Sequence, residues 1–522
     1  MQLQDIPEEI LLKIIDTVAD EGIHYLHSIA LTCKRCNVLC NIDERRSYHC
    51  IFIHSFLDCN IAFRKLLAIL RKPRLGRYVR HLEVNMQPRL NVPFVNLPPV
   101  WERNLPDEDI RLLRAAVRNA GFGGRHEQKV MQMLMQRNPY NHFMTPAYSL
   151  DTARERGVYI GQAIAAILLT VCIDIENMAV GTPAASELTW DRPSRDGMLV
   201  HAFPLCRILK AIYESPLQCR YLSKLRVVEL FTPRPGSKMY DQTDIIGRME
   251  IFQGLPSLET IVVEGASWRS RDTTESVEAR FTVGTCRAKN VYITHSKFGT
   301  DVLAGVLSAV SELREFTYCT GGRLGHAHFH DANDYNPCTF FKFLLIHRRT
   351  LRTLDLDCDA QLEESMNTYY DGGETVLEHY PNELNLTCGP YYRHKELRWI
   401  FALDGGLRDF SALTHLKIGA KSLVLFALGI NTRLSQARPY LDGFMLLHAL
   451  PPNLQVLTVR GFRVPIPGAY YSVDWALLRL GGLLARHRPD LVVEGLGPLV
   501  HSGYDVTRRP LPADVYDQVI GP

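Results

Sequence analysis

One six-residue pattern, apolar-x-x-apolar-x-apolar, returns along this chain from residue 79 to residue 459. It is clear in Val79–Val84, Leu225–Leu230, Leu258–Val263, Leu313–Tyr318, Leu351–Leu356, Leu413–Ile418 and Leu454–Val459, and looser in Ile175–Val180 and Ala288–Ile293. The last three residues of each copy alternate, which predicts a short strand with one buried face. Between the copies, His201–Glu214, Asp301–Val310, Thr339–His347, Tyr440–Leu450 and Val473–His487 read as helices. Pro or Gly marks several junctions, as in Gly254-Leu255-Pro256 and Leu450-Pro451-Pro452. The predicted unit is helix, turn, short strand. Stacking such units gives a parallel sheet on one side and helices on the other.

The first forty-odd residues follow a different rhythm. Ile6, Ile10, Leu11, Ile14, Ile15 and Val18 recur at steps of three and four, an apolar stripe wider than a coiled-coil seam. Asp5 and Glu8 stand at capping-box spacing, and Pro7 is expected in the first turn, where its missing N–H costs nothing. Leu26, Ile29, Leu31, Cys33, Val38 and Leu39 form a second apolar cluster. A unit this short buries little core by itself, so part of the stripe is expected to face another protein.

Ile6-Pro7-Glu8-Glu9-Ile10-Leu11, the amphipathic stretch after it and Leu31-Thr32-Cys33-Lys34-Arg35 resemble an F-box. Where that family usually has an aromatic, this chain has Cys36. The resemblance implies docking on a Skp-type adaptor and, through it, on a cullin–RING ubiquitin ligase. The body resembles a divergent leucine-rich repeat of the kind that fungal F-box proteins often carry, with Tyr48–Val84 similar to their first unit after the F-box. Copy starts at 225, 258, 288, 313, 351, 413 and 454 are unequally spaced, and the Asn that usually follows the strand is mostly absent. A distorted arc is therefore expected. The fold class is α/β: a small helical F-box at 1–45, then an irregular leucine-rich-repeat-like solenoid of parallel short strands backed by helices at 46–510. Insertions are expected at about 100–150 and 357–395, and a C-terminal tail at 511–522.

Composition narrows the reading. The chain has 522 residues, beyond what one core usually serves. Hydrophobic content of 46% and charged content of 22% are those of a globular chain and argue against disorder. A formal net charge of +3 gives no electrostatic case for nucleic acid. Thirteen cysteines without framework spacing read as reduced thiols of an intracellular protein, cytoplasmic or nuclear. Asp5, Glu8 and Glu9 stand where a signal peptide would want basic and then apolar residues, and Ala163–Ile175 is too short to span a bilayer, so no membrane is expected. Asn385-Leu386-Thr387 fits a glycosylation acceptor by chance.

Two stretches break the repeat. Asp107–Arg137 reads as a polar helical pair around Gly121-Phe122-Gly123-Gly124, packed on the arc as an insertion. Asp355–Glu383 carries Asp357, Asp359, Glu363, Glu364, Asp371, Glu374, Glu378 and Glu383 with no Lys or Arg. It reads either as a solvated loop or as a place for specificity.

Catalytic chemistry is not apparent. Cys33-Lys34-Arg35-Cys36 lacks the second ligand pair that zinc wants, and His326-Ala327-His328-Phe329-His330-Asp331 reads as a His-rich loop sooner than a metal site. Phosphate-loop, Gly-x-Ser-x-Gly, His-Glu-x-x-His and dinucleotide-binding signatures are missing. Trp268-Arg269-Ser270-Arg271 is too short for a nucleic-acid surface. The expectation is a non-catalytic subunit with no cofactor or metal. Ile6, Pro7, Ile10, Leu11, Ile14 and Ile15, supported by Leu26, Leu31 and Leu39, would meet the adaptor, with some of them serving the module's own core. Glu83, Glu229, Tyr292, Thr317, Asp355 and Lys417, on the outward face of the strands, would meet a target protein. The alternative is a ligase-independent repeat scaffold in which the N-terminal helices cap the first repeat.

Overall fold

A computed structural model describes residues 6–22, 24–85, 103–136, 150–181, 204–217, 220–230, 240–268, 283–321, 335–362, 400, 403–428, 443–462 and 473–496. They belong to two units, one of residues 1–180 and 188–225, the other of residues 181–187 and 226–522. The boundary near residue 225 falls inside the stretch that the repeat pattern treats as one body.

The first unit opens with α1 (Glu8–Glu21), α2 (Tyr25–Ala30) and α3 (Lys34–Cys40), packed around Leu11, Ile15, Leu26, Cys36, Leu39 and Cys40. Its first helix starts differently from the capping signal. Pro7 is the cap residue rather than a first-turn residue, no side chain caps α1, and Asp5 lies outside the described residues. Cys33 caps α3, its sulfur accepting from the Cys36 N–H at 3.3 Å. Asn41 (φ 45°) turns the chain into α4 (Ile42–His49) through the left-handed conformation, which Asn visits more readily than most residues. Buried Arg45 of α4 ties the module to the chain that follows. It pairs with Asp16 of α1, donates to the Cys40 carbonyl at 2.9 Å, and sits 4.4 Å from the Tyr78 ring centroid.

Beyond it, β1 (Cys50–Ile53), β2 (His81–Val84) and β3 (Asn177–Val180) pair in parallel, β2 in the middle. Between β1 and β2 run α5 (Phe56–Arg71) and a 3-10 helix, Pro73–Tyr78, the order that Tyr48–Val84 predicts. The helical pair is α6 (Asp107–Asn119) and α7 (Arg125–Met135), joined where Gly121 (φ 86°) and Gly124 (φ 59°) take left-handed backbone. It is polar on one side only: Leu113, Val117, Phe122, Val130, Met133 and Leu134 are buried. The two helices pack on α5 and α8 (Leu150–Val171), and α9 (Pro204–Glu214) also packs on α8. The apolar run at Ala163–Leu169 lies in α8 and is wholly buried, so its hydrophobicity is that of a core helix. Among the described residues no helix is long and apolar enough to cross a membrane.

The second unit explains the repeat pattern residue by residue. Its parallel strands run in the order β4 (Val227–Leu230), β6 (Thr260–Glu264), β8 (Asn290–Thr294), β10 (Glu315–Cys319), β11 (Thr353–Asp357), β12 (His415–Gly419), β13 (Val456–Arg460) and β14 (Val492–Glu494). The three apolar positions of the pattern become three buried rows. Leu225, Leu258, Ala288, Leu313, Leu351, Leu413 and Leu454 lie just before the strands. Val228, Ile261, Val291, Phe316, Leu354, Leu416 and Leu457 align in register, as do Leu230, Val263, Ile293, Tyr318, Leu356, Ile418 and Val459. A one-residue slip would turn a whole row to water, so the register is strongly fixed. Helices α10 (Ile245–Phe252), α11 (Thr300–Ala309), α12 (Pro337–Leu345), α13 (Ala420–Leu428), α14 (Gly443–Ala449) and α15 (Val473–His487) lie between the strands in sequence. Phe340 and Phe341 of α12 are buried, Phe341 stacking on Phe426 of α13 at 4.4 Å. The pattern misses the three-stranded sheet of β5 (Asp241–Gln242), β7 (Ala266–Trp268) and β9 (Lys297–Phe298), whose strands are too short to show a period.

In place of the missing Asn, other polar side chains tie down the strand ends. Ser296 Oγ accepts from the Ala266 N–H at 3.1 Å, and Thr320 Oγ1 donates to the Asp357 carbonyl at 3.0 Å. Asp359 accepts from the Lys421 and Ser422 N–H groups at 2.9 and 3.0 Å and from Ser422 Oγ at 2.6 Å, satisfying two free N–H groups at the start of α13. Gly419 leaves room for this carboxylate: a Cβ there would lie 2.3 Å from it. Gly419→Ala is expected to cost about 2 kcal/mol or more through this clash, read as a lower denaturation midpoint. An unchanged midpoint would contradict the packing described.

Candidate functional site

Two surfaces carry the residues singled out from sequence. On the N-terminal module the structure divides them. Leu11, Ile15 and Leu26 are at most 1% exposed and Leu39 is buried, so these four form the module's own core and are not free to meet a partner. The reason is the step between them: Leu11 and Ile15 are one helical turn apart on the face of α1 that meets α2 and α3. Ile6 is partly buried against the same core, and Pro7 is exposed at the start of α1. Ile10 (46% exposed) and Ile14 (41%) repeat the same step one residue earlier and face solvent. Leu31, in the turn after α2, is 87% exposed.

Val38 of α3 and Tyr25 of α2 are also large, apolar and exposed. Sequence reasoning missed both as surface residues. In sequence Val38 reads as a member of the apolar cluster, and Tyr25 has no apolar repeat to flag it. Thus two turns of α1, the α2–α3 turn and α3 all show apolar side chains to water, around a core already closed beneath them.

The strand candidates share one feature. In the second unit, Glu229, Val262, Tyr292, Thr317, Asp355, Lys417, Thr458 and Glu494 occupy one register row across the sheet. Tyr292, Thr317, Asp355 and Lys417 therefore stand side by side at the strand spacing of about 4.8 Å, and Glu229 shares the row with buried Val262 between it and Tyr292. The row is not equally available along its length. Arg460 grips Asp355 with both guanidinium nitrogens, and the Cys319 sulfur lies 4.0 Å from the same carboxylate. Tyr292 donates its hydroxyl to Glu315; burial first and then this carboxylate push the phenol upward, so it remains a donor. Thr458 donates to Glu494 at 3.1 Å. Lys417 is exposed.

The sixth candidate, Glu83, belongs to the first unit. It shares a row with exposed Phe52 and with Ala179 and is held between two imidazoles, His54 at 2.8 Å and His81 at 3.3 Å. Burial alone would raise its carboxyl. The two histidines outweigh burial and hold it at about 2. As pH falls toward 2 the carboxylate takes up its proton and the stability these pairs contribute is lost. The ion pairs also require the imidazoles to be protonated, so the contribution fades as the imidazoles lose their protons.

No protein-family model matches the chain, and no curated protein matches it.

Among the described residues no group of three His, Cys, Asp or Glu side chains is placed to hold an ion. Cys33, Cys36 and Cys40 are free thiols, the last two part of the N-terminal core. The cluster His326–Asp331, Asn385-Leu386-Thr387 and the acidic positions Glu363–Glu383 lie outside the described residues. So do Arg269 to Arg271, although Trp268 ends β7.

Proposed function

We propose that this chain is a non-catalytic substrate-recognition subunit of a Skp–cullin–F-box type ubiquitin ligase. The three-helix module docks the adaptor and the strand face of the body holds a target protein. What carries the reading is the division within the module: Leu11, Ile15, Leu26 and Leu39 close a core while Ile10, Ile14, Leu31 and Val38 stay exposed around it. A helical cap serving only its own chain has no need of that outer set. The contribution to ubiquitination would be positional: holding ligase and target together raises the effective concentration of acceptor lysines. Mixing the full-length chain with a purified Skp-type adaptor tests this. A complex that co-elutes on size exclusion supports the reading, and separate elution of two folded proteins sinks it.

One observation favours the alternative, a ligase-independent scaffold capped by these helices. Arg45 joins α1 to Tyr78 through its pair with Asp16 and its ring contact, as a cap would. Deleting residues 1–45 separates the two. As an adaptor-binding module, the deleted segment leaves a body that still unfolds cooperatively. As a cap, its removal exposes the first repeat and abolishes the transition.

A further inference from the structure

The edge of the second unit's sheet where the strands begin carries an unbalanced row of cations. Each strand there is joined to the next just ahead of its first residue. Arg314 N–H donates to the Lys289 carbonyl at 2.7 Å, Arg352 N–H to the Arg314 carbonyl at 2.7 Å, and Thr414 N–H to the Arg352 carbonyl at 2.9 Å. Lys289, Arg314 and Arg352 thus occupy one register position on three adjacent strands, about 4.8 Å apart, where like charges repel. Arg287 lies two residues before Lys289, and Arg348 and Arg349 lie in the turn leading into β11. Arg287, Arg349 and Arg352 are exposed, and the other three are half-buried.

Within this group one ion pair forms. Glu312 pairs with Arg314 at 2.8 Å, and its carboxyl is held below the usual range by Arg314 first, with Lys289 and Arg352 adding to the effect. Among the described residues no ion pair is made by Arg287, Lys289, Arg348, Arg349 or Arg352. Six cations stand against three carboxylates: Glu312, Glu259, which continues the row beside Lys289 and is held by Arg226 at 2.8 Å, and Glu315, which accepts from Tyr292. In a chain whose formal net charge is only +3 this is still a local excess that composition does not reveal.

We infer that this edge is a docking surface for an acidic segment of a partner protein. Five of the six cations are arginines, whose planar forks match carboxylates two bonds at a time. No Phe, Tyr or Trp stands among residues 286–289, 311–315 or 346–353 to stack a base, which separates the edge from single-strand nucleic-acid surfaces. If the chain is a target-recognition subunit, the inference names the chemistry of the target; only that word rests on the proposed function, because the binding is tested on the isolated chain.

The test is fluorescence anisotropy on the full-length chain with a labelled peptide of alternating Glu and Ser, its Gln counterpart and a single-stranded RNA. The Glu peptide is expected to bind and the Gln peptide not. High salt, where the screening length falls to about 3 Å, should weaken binding, and Arg348→Glu/Arg352→Glu should weaken it about tenfold or more. Arg348→Gln/Arg352→Gln should give an intermediate loss without introducing repulsion, and it serves if the reversed pair folds poorly. Arg111→Glu, in the first unit, should leave binding unchanged. The inference is overturned by equal binding of wild type and both double variants, by the RNA binding more tightly than the peptide, or by no peptide binding. It is overturned too if the peptide binds only after Glu363, Glu364, Asp371, Glu374, Glu378 and Glu383 are neutralised, which would assign the edge to the chain's own acidic stretch. Adaptor binding, measured on the same variants, should be untouched, so failure here and failure of the ligase reading are told apart.

Discussion

Ile10→Asp/Ile14→Asp is expected to abolish adaptor binding, by about 100-fold or more, while leaving the fold intact. Both side chains are roughly half exposed, so the free chain loses little core when they change. In a complex the balance reverses. Covering the exposed parts of Ile10, Ile14, Leu31 and Val38 contributes about 1–2 kcal/mol each, most of which offsets the entropy lost on association. Two carboxylates in that interface remove the gain and add desolvation of several kcal/mol, more than the ~2.7 kcal/mol that a 100-fold loss requires. The control lies one residue along. Ile15→Asp buries a charge in a core position that is 0% exposed and should unfold the module itself. A double variant that keeps both its circular-dichroism spectrum and its adaptor affinity would show that the outer face of α1 is not the contact.

Arg460→Ala is expected to destabilise the second unit by about 2–4 kcal/mol. Arg460 stands opposite Gly419 in the register of β13 on β12, and it reaches across β12 to Asp355 on β11. The two side chains are 11% and 17% exposed, so neither is rescued by bulk water. Removing the guanidinium strands the Asp355 carboxylate beside a Cys319 thiol that burial, first of all, keeps protonated. Removing both partners should cost less than removing Arg460 alone, because the uncompensated charge goes with it. Urea denaturation of the two single variants and the double variant measures the coupling. Additive costs would show that the pair carries no net interaction. The same geometry bears on function: a target-binding defect in Asp355→Ala would report a disturbed sheet, whereas Lys417→Glu tests the surface without touching an internal bond.

The sheet was legible in the sequence because its register is written in apolar residues. Leu351, Leu354 and Leu356 stand in three separate rows, and the same three positions return in each copy, so the pattern located every strand from β2 to β13 except the two- and three-residue ones. Strand β14, with Val492 and Glu494 exposed, shows only part of the pattern. The outward positions were legible by alternation, and Glu229, Tyr292, Thr317, Asp355 and Lys417 do share a row. What alternation could not show is which of them is already taken. The partner of Asp355 lies 105 residues away, and no local pattern encodes it. The N-terminal list failed to divide for a related reason: Ile10 and Leu11 are adjacent and equally apolar, and only the direction from which α2 and α3 approach decides which is core. The basic edge escaped notice because its residues come from three separate copies and meet only through the strand register.

The affinity of a purified Skp-type adaptor for the wild-type chain beside Ile10→Asp/Ile14→Asp, with thermal unfolding of both, decides whether the N-terminal module docks a ligase. Binding by the wild type, its loss in the double variant and matching unfolding curves are the expected result. A well-folded wild type that does not bind would contradict this and leave the N-terminal helices as a cap on a scaffold, and a double variant that binds as well would move the contact away from the outer face of α1.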